Sequence, residues 1–448
     1  MEIFFDLSAI PTNSPLLLGW WFFKTIGWIY PVFLFVYGLL LYWQFWIRNK
    51  YRHDRKYILL AIDVPKDNEQ GPKGVENIFN QLAGAHQPLG FLDDWWTGEI
   101  KNSFSFEIVS LGGYIQFIIH LVDRYRDLIE AMIYAQYPDA EITEIEDYTK
   151  DWNLKFPNNQ YQLWGSELKL AKSEFYPIRT YPEFEHVEEG FKDSMASLLE
   201  GMTRIGPGEQ IWVQIVATPA DNSWGDAAEH LIKKLAGGKP KIKKNAFDYI
   251  YGAPNLVLAG LNPVETAASV VKKDEPPTQM LYLTQGEKDR INAIERKIGK
   301  LGFHCKIRLI YFAEKAKFKK AVPSAVYGAF KQFNTLDLNS LKPDKRILTA
   351  SIFWLKEFRL NIRRRKILYR YKWRGYWLDP GYEGYILNSE ELASIYHFPV
   401  ITVKAPLVRK TEAKKAEPPM GLPIEQMAPP VKIPSAPKAQ PPENLPVG

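Results

Sequence analysis

The stretch RLNIRRRKILYRYKWR, residues 359–374, gathers the densest run of cationic side chains in the sequence. Arg359, Arg363, Arg364, Arg365, Lys366, Arg370, Lys372 and Arg374 stand there without an acid. Guanidinium and ammonium groups at this density can hold the phosphates of a nucleic-acid backbone or of an anionic lipid surface. The second half alternates, with Arg370, Lys372 and Arg374 on one side and Tyr369, Tyr371 and Trp373 on the other. A period of two predicts an edge strand, rings inward and cations in water. Opposite faces keep the rings from stacking on bases that the cations would hold, so the aromatic residues read as core. Residues 363–366 are left to face a membrane surface, a phosphate backbone or an acidic partner.

Elsewhere the residue types for catalysis are present but their spacing is not. No GxxxxGK[ST] occurs, so no phosphate-cradling loop of that kind is expected. GPKGVEN reads as a helix N-terminus and AGGKPK as a solvated loop. The seven histidines are scattered and none has the HExxH spacing of a zinc site. His304 and Cys305 are adjacent on a predicted strand, so they point to opposite faces and cannot act as a dyad. Cys305 reads as a small core residue. In DAEITEIED, Glu144 and Glu146 share one strand face, which suits a solvated sheet edge, with a metal site as the alternative. The expectation is therefore a chain with no catalytic residue, no cofactor and no metal, and so not an enzyme.

What would position the basic run begins with a membrane segment. Residues 25–47 carry no charge and would span roughly 34 Å as a helix at about 1.5 Å per residue. Trp28, Tyr30, Trp43 and Trp46 lie near its ends, where amphipathic rings favour the headgroup level. Arg48, Lys50 and Arg52 follow at once, with Arg55 and Lys56, whereas Lys24 is the only basic residue before the span. That asymmetry predicts an outside N-terminus and a cytoplasmic bulk. The absence of a basic n-region and of a small-residue cleavage site argues against a signal peptide. Residues 1–15 read as a short extracytoplasmic start, and 16–48 as the transmembrane helix with an interfacial beginning.

Beyond the span an α+β pattern follows. YILLAIDVP, SFSFEIVSL, YIQFIIHLV and AEITEIEDY read as strands, with a hairpin at Gly112-Gly113. Apolar residues at helical spacing in 69–86 and 124–138 complete a β-α-β-β-α-β order, the ferredoxin-like split βαβ, over residues 56–150. Residues 151–335 read as a second α+β domain with an insertion near 237–278. In it, 162–182 is expected as two strand-like runs and 188–202 as a helix. Residues 336–403 hold the basic strand and end in a capped helix: Asn388 or Ser389 caps, Glu390 and Glu391 face the positive helix end, Leu392, Ile395 and Tyr396 form the apolar side, and Pro399 stops it. Residues 404–448 carry eleven prolines and read as a disordered tether.

A chain of 448 residues with 46% hydrophobic and 14% aromatic content can bury a large core. The net charge of +6 permits but does not demand an anionic partner. A single cysteine excludes an intrachain disulfide and suits a reducing compartment.

The stretches YILLAIDVPKDNEQGPKGVENIFNQLAGAH, FEIVSLGGYIQFII, YAQYPDAEITEIEDYT and LNSEELASIYHFP, with the later PPENLP, carry a resemblance. Over nearly the whole chain they are similar to the N-terminal region of membrane-anchored proteins related to type IV secretion and conjugation ATPases of candidate-phyla bacteria. In longer relatives the EELAxxxHFP helix and a Pro-rich linker lead into an FtsK/HerA-like P-loop ATPase domain. Walker motifs are absent here, so ATP hydrolysis does not carry over. The resemblance implies a non-catalytic adaptor in the bacterial inner membrane, working with a P-loop ATPase that is encoded separately, lost or cut from the sequence. Implied partners are the membrane, that ATPase, DNA and further copies of the chain. The alternative from the residues alone is a membrane-tethered nucleic-acid-binding protein using 359–374.

Overall fold

The computed structural model describes residues 20–400 except 22, 24–26, 28, 66–67, 151, 153–154, 187–189, 192, 222, 237–282, 352–353 and 377–383. Trp28, the N-terminal 1–15, the insertion at 237–278 and the tail at 404–448 therefore lie outside the described residues.

The apolar N-terminal run forms helix α1 (Ile29–His53). It is long and apolar enough to cross a membrane, with a mean hydropathy of 1.4. Ile47 is its one buried residue among those described. Lys50, Arg52 and His53 close the last turn, where cations suit the negative end of the helix dipole.

The β-α-β-β-α-β order is present as β1 (Tyr57–Asp63), α2 (Pro72–Leu82), β2 (Phe104–Leu111), β3 (Tyr114–Val122), α3 (Arg126–Gln136) and β4 (Glu141–Ile145). The β2–β3 turn needs positive φ at both central residues, and Gly112 and Gly113 supply φ of 61° and 99°. The next segment runs β5 (Tyr161–Leu170), a two-residue hairpin β6 (Glu185–His186) and β7 (Gly190–Phe191), then α4 (Ala196–Thr203) and β8 (Glu209–Pro219). It continues with α5 (Ser223–Leu235), α6 (Gln285–Ile298), β9 (Gly302–Glu314), α7 (Ala321–Phe330) and β10 (Leu341–Pro343). The last elements are α8 (Lys356–Trp373), β11 (Tyr385–Asn388) and α9 (Ser389–Ile395).

One antiparallel sheet holds nearly all the strands, in the order β10-β5-β9-β8-β2-β3-β1-β4, with β11 on the free part of the β9 edge. The two segments therefore meet at β2 and β8, which pair from Phe104↔Ala217 to Leu111↔Gln210. Each runs outward from that seam in the same sequence: second strand, third, first, fourth. Alternation along β8 sends Ile211, Val213 and Ile215 to one face and Trp212 to the other. The first face carries the larger core, covered by α2, α3, α4, α7 and α9. The second is smaller and lies under α8.

Three expectations need correction. Residues 369–373 are helical, not an edge strand, and Arg374 caps that helix. Leu360, Arg364, Ile367, Tyr371 and Arg374 recur at helical spacing, and a six-residue alternation is too short to outweigh that longer period. In 162–182 only the first run is a strand. Pro177 and Pro182 lack donors, the Arg179 amide bonds to Phe333 O, and the Ile178 amide to Glu391. The helix expected over 188–202 begins at Ala196, after Asp193 Oδ1 has accepted from the Met195 amide.

Candidate functional site

The second face of the sheet has a polar row through its middle. Glu107 of β2 stands opposite Gln214 of β8, Gln214 opposite Arg308 of β9, and Arg308 opposite Glu167 of β5. All four are fully buried. Gln214 Nε2 donates to Glu107 Oε1 at 2.8 Å, and Arg308 donates to Gln214 Oε1 and to Glu167 Oε1, each at 2.8 Å. Side chains directly across neighbouring strands are close enough to bond in this way, so the ladder marks the register of four strands and of the seam between the two segments.

Helix α8 closes over this row. Arg370 donates to Glu167 at 3.3 Å and Arg374 to Glu107 at 2.8 Å. Arg374 also holds Asp147 through two bonds at 2.8 and 3.0 Å. The Tyr148 hydroxyl reaches Glu107 at 2.7 Å and the Tyr371 hydroxyl at 2.7 Å, and Gln214 donates to Tyr371 O. Three carboxylates thus face three guanidinium groups, with Asp147 at the partly exposed end of the network. Such a network is high in cost when broken, because a lone buried ion is left behind. Burial pulls the Arg374 guanidinium down, and the Glu107 charge, with Tyr148 and Asp147, overrides it and raises it well above its usual value. Burial pushes the Asp147 carboxyl up, but Arg374 and Thr149 reverse this and lower it to about 2. Arg374 ends α8 with φ of 48°, a conformation that costs an L-residue roughly 1–2 kcal/mol. Its charge-assisted bonds to two carboxylates hold it there.

Beside Arg374 the network meets the end of α1. Arg52 lies over the Trp373 ring at 4.1 Å, and Arg55 donates to Asn102 at 2.9 Å. Arg52, Arg55, Lys101, His120 and Arg374 line a cavity of about 20 Å³, room for one water-sized species. His120 stacks on Tyr57 at 5.1 Å. Burial first, then the charges of Arg374 and Arg52, lower His120 well below its usual value, so the ring is neutral at pH 7. The junction is a cationic pocket built around a rigid polar seam. It ties a candidate membrane helix, a sheet and α8 into one unit.

The eight cations of 359–374 do not act together. Arg370 and Arg374 are internal. Arg363 bonds the carbonyls of Leu348 and Ala350, Arg364 that of Leu163, and Lys372 that of Trp152. Arg359, Arg365 and Lys366 stay exposed. Among the candidate membrane anchors, Tyr30, Trp43 and Trp46 are exposed on α1 and Lys50 lies 5.8 Å over the Trp46 ring. Arg48 pairs with Asp94, and Arg52 turns into the domain instead of toward solvent. Cys305 is fully buried and His304 half-buried, on opposite faces of β9. Glu144 pairs with Arg126 on the outermost strand, β4.

Glu107, Glu167, Gln214 and Arg308 carry no site role in the sequence reading, and Asp147 enters it only within the acidic cluster DAEITEIED. The signal for three of them is an ionisable residue within a largely apolar strand: SFSFEIVSL, LWGSELKL, which also holds Lys169, and CKIRLIYFA, which also holds Lys306. A charge in that position must find a partner or not be buried.

The fold defines a mixed α+β protein built on one antiparallel sheet with a candidate membrane helix at its start. Residues 56–411 match the family described as Domain of unknown function (DUF8128), and the chain belongs to that family. The comparison with curated proteins finds no match.

Proposed function

We propose that this DUF8128 chain is a membrane-anchored, non-catalytic scaffold, with α1 crossing the bacterial inner membrane and the sheet on the cytoplasmic side. One observation carries the reading: the last turn of α1 and the residues just after it are built into the sheet unit through Arg52 on Trp373 and Arg55 on Asn102. A helix that only tethered a domain would need no such joint. The cations after residue 47 support the orientation. The two strand segments are read as ferredoxin-like units joined through their second strands, which makes a wide, stiff platform for assembly.

The finer reading is an adaptor in a type IV secretion- or conjugation-like translocation machine that works with a P-loop ATPase. It rests on the sequence resemblance alone. Its test is co-purification of the full chain from native membranes, with and without residues 404–448. Tail-dependent recovery of a P-loop ATPase supports it, and a full-length chain that recovers none sinks it. The nucleic-acid alternative is weakened because Arg370 and Arg374 are used inside the fold.

A further inference from the structure

Residues 89–97, LGFLDDWWT, leave the sheet unit and lie against the end of α1. Trp43 Nε1 donates to Trp95 O at 3.2 Å, Gln44 Nε2 to Asp94 Oδ2 at 3.1 Å and Arg48 Nε to Asp94 Oδ1 at 3.0 Å. Gly98 closes the segment with φ of 69°, so near to α1 that a Cβ there would stand 2.6 Å from the Ile47 carbonyl carbon. The segment is therefore fixed alongside residues 43–48. Within it, Phe91 is 75% exposed, Leu92 73% and Trp96 75%. Its two carboxylates are occupied: Asp94 by Arg48, and Asp93 by the Gly90 amide at 3.0 Å.

We propose that residues 89–97 form a second membrane contact, a short foot that inserts Phe91, Leu92 and Trp96 into the headgroup layer beside α1. The inference rests on the reading of α1 as a membrane span. The depth follows from the helix. Residues 43–48 cover about 7 Å of axis at about 1.5 Å per residue. The interfacial layer on each side of a bilayer is about 5–8 Å thick, half the difference between total and hydrocarbon thickness. A segment bonded to Trp43 and Arg48 thus lies in that layer when the apolar part of α1 lies in the core. Its composition suits the place, since tryptophan favours the interface and the charge of Asp94 is met by Arg48. The occupant of this apolar patch is lipid, because its segment is bonded alongside residues 43–48 of α1, whose own apolar side chains are exposed. A helix held at one point can tilt and rotate; a foot beside it would set both.

The test uses the full chain in vesicles of phosphatidylethanolamine and phosphatidylglycerol. Cys305 is buried, so a spin label goes to an introduced thiol alone. Three single variants are compared: Leu92→Cys in the foot, Val36→Cys in α1 and Leu336→Cys on the far surface. All three positions are exposed, so the fold should tolerate them. The expected order of protection from a water-soluble nickel relaxant is 36, then 92, then 336, with 92 favouring oxygen over nickel at least several-fold more than 336 does. If 92 is as open to nickel as 336 while 36 is protected, the foot is wrong and the span stands. If 36 is also open, the span reading fails and takes the foot with it. Protection at 92 accompanied by spin–spin broadening, the broadening lost on dilution with unlabelled chain and the protection lost on dilution into excess lipid, would assign the patch to a second copy and overturn the proposal.

Discussion

The two faces of the sheet are built on different principles. Under α2, α3, α4, α7 and α9 the contacts are apolar, as where Phe79 meets Phe106 at 4.8 Å and Phe303 at 5.8 Å between ring centres. Under α8 the centre is a charged row with apolar residues around it. An apolar core fixes which face of each strand is buried but, tolerating neighbours of similar size, discriminates less among slips that keep that face. A row of hydrogen-bonded charges discriminates further, because even a slip of two residues, which keeps the face, would part each ion from its partner. The polar row lies at the β2–β8 seam, where the two strand segments join. That is the one place in the sheet where a misplaced pairing would misalign both halves.

The largest expected effects come from single changes on either face. Arg308→Met takes the closer of two cations from Glu167 and the donor from Gln214 and should cost about 3–5 kcal/mol, and Phe79→Ala should cost a similar ~3–5 kcal/mol through its cavity, both read from denaturant unfolding of the full chain in detergent. The two faces separate on rescue. The combined change Glu107→Leu, Arg374→Leu and Asp147→Asn removes ions together and should be less destabilising than Glu107→Leu alone. A combined variant at least as unstable as the single one would remove the distinction drawn here.

A smaller effect depends on pH. Folded Asp147 titrates at about 2, below the ordinary ~3.9 of an unfolded aspartate. Its pairing therefore contributes about 2 kcal/mol that is complete above about pH 4 and lost as pH falls toward 2. Asp147→Asn should flatten that part of an acid-unfolding curve and leave the curve's slope above pH 5 unchanged. An unaltered acid limb would show that Asp147 is not held as described.

The smallest effect is at the start of α9. Asn388 Oδ1 accepts from the Glu391 amide at 2.8 Å, and Glu391 accepts from the Asn388 amide at 2.9 Å. Asn388→Ala should cost about 1 kcal/mol. Glu391→Gln belongs with the larger effects, at about 3–5 kcal/mol, since it also takes the partner at 2.9 Å from fully buried Lys297. Equal losses for the two would mean that the cap alone matters.

The α9 helix shows how far sequence reasoning reaches. Its cap and apolar side were legible, because a capping box is local and its side chains lie within four residues. Its depth was not. Ser394 serves the Tyr181 amide, and His397 bonds Asp193 at 2.9 Å, across about two hundred residues of chain. The polar seam is the same case. Glu107 was visible as a charge in an apolar strand, but its partner Arg374 lies far along the chain in a segment whose short alternation resembled a strand.

By itself, then, the sequence determined the apolar helix and its basic flank, the β-α-β-β-α-β order of the first segment, the Gly112-Gly113 hairpin and the cap at Asn388. Each depends on periodicity, composition or contacts between near neighbours. Only the tertiary structure decided which of the eight cations in 359–374 meet solvent and which are buried, and that residues 89–97 lie against the end of α1. Those outcomes depend on partners brought together by strand register and helix packing, and one-dimensional patterns carry no distance between them.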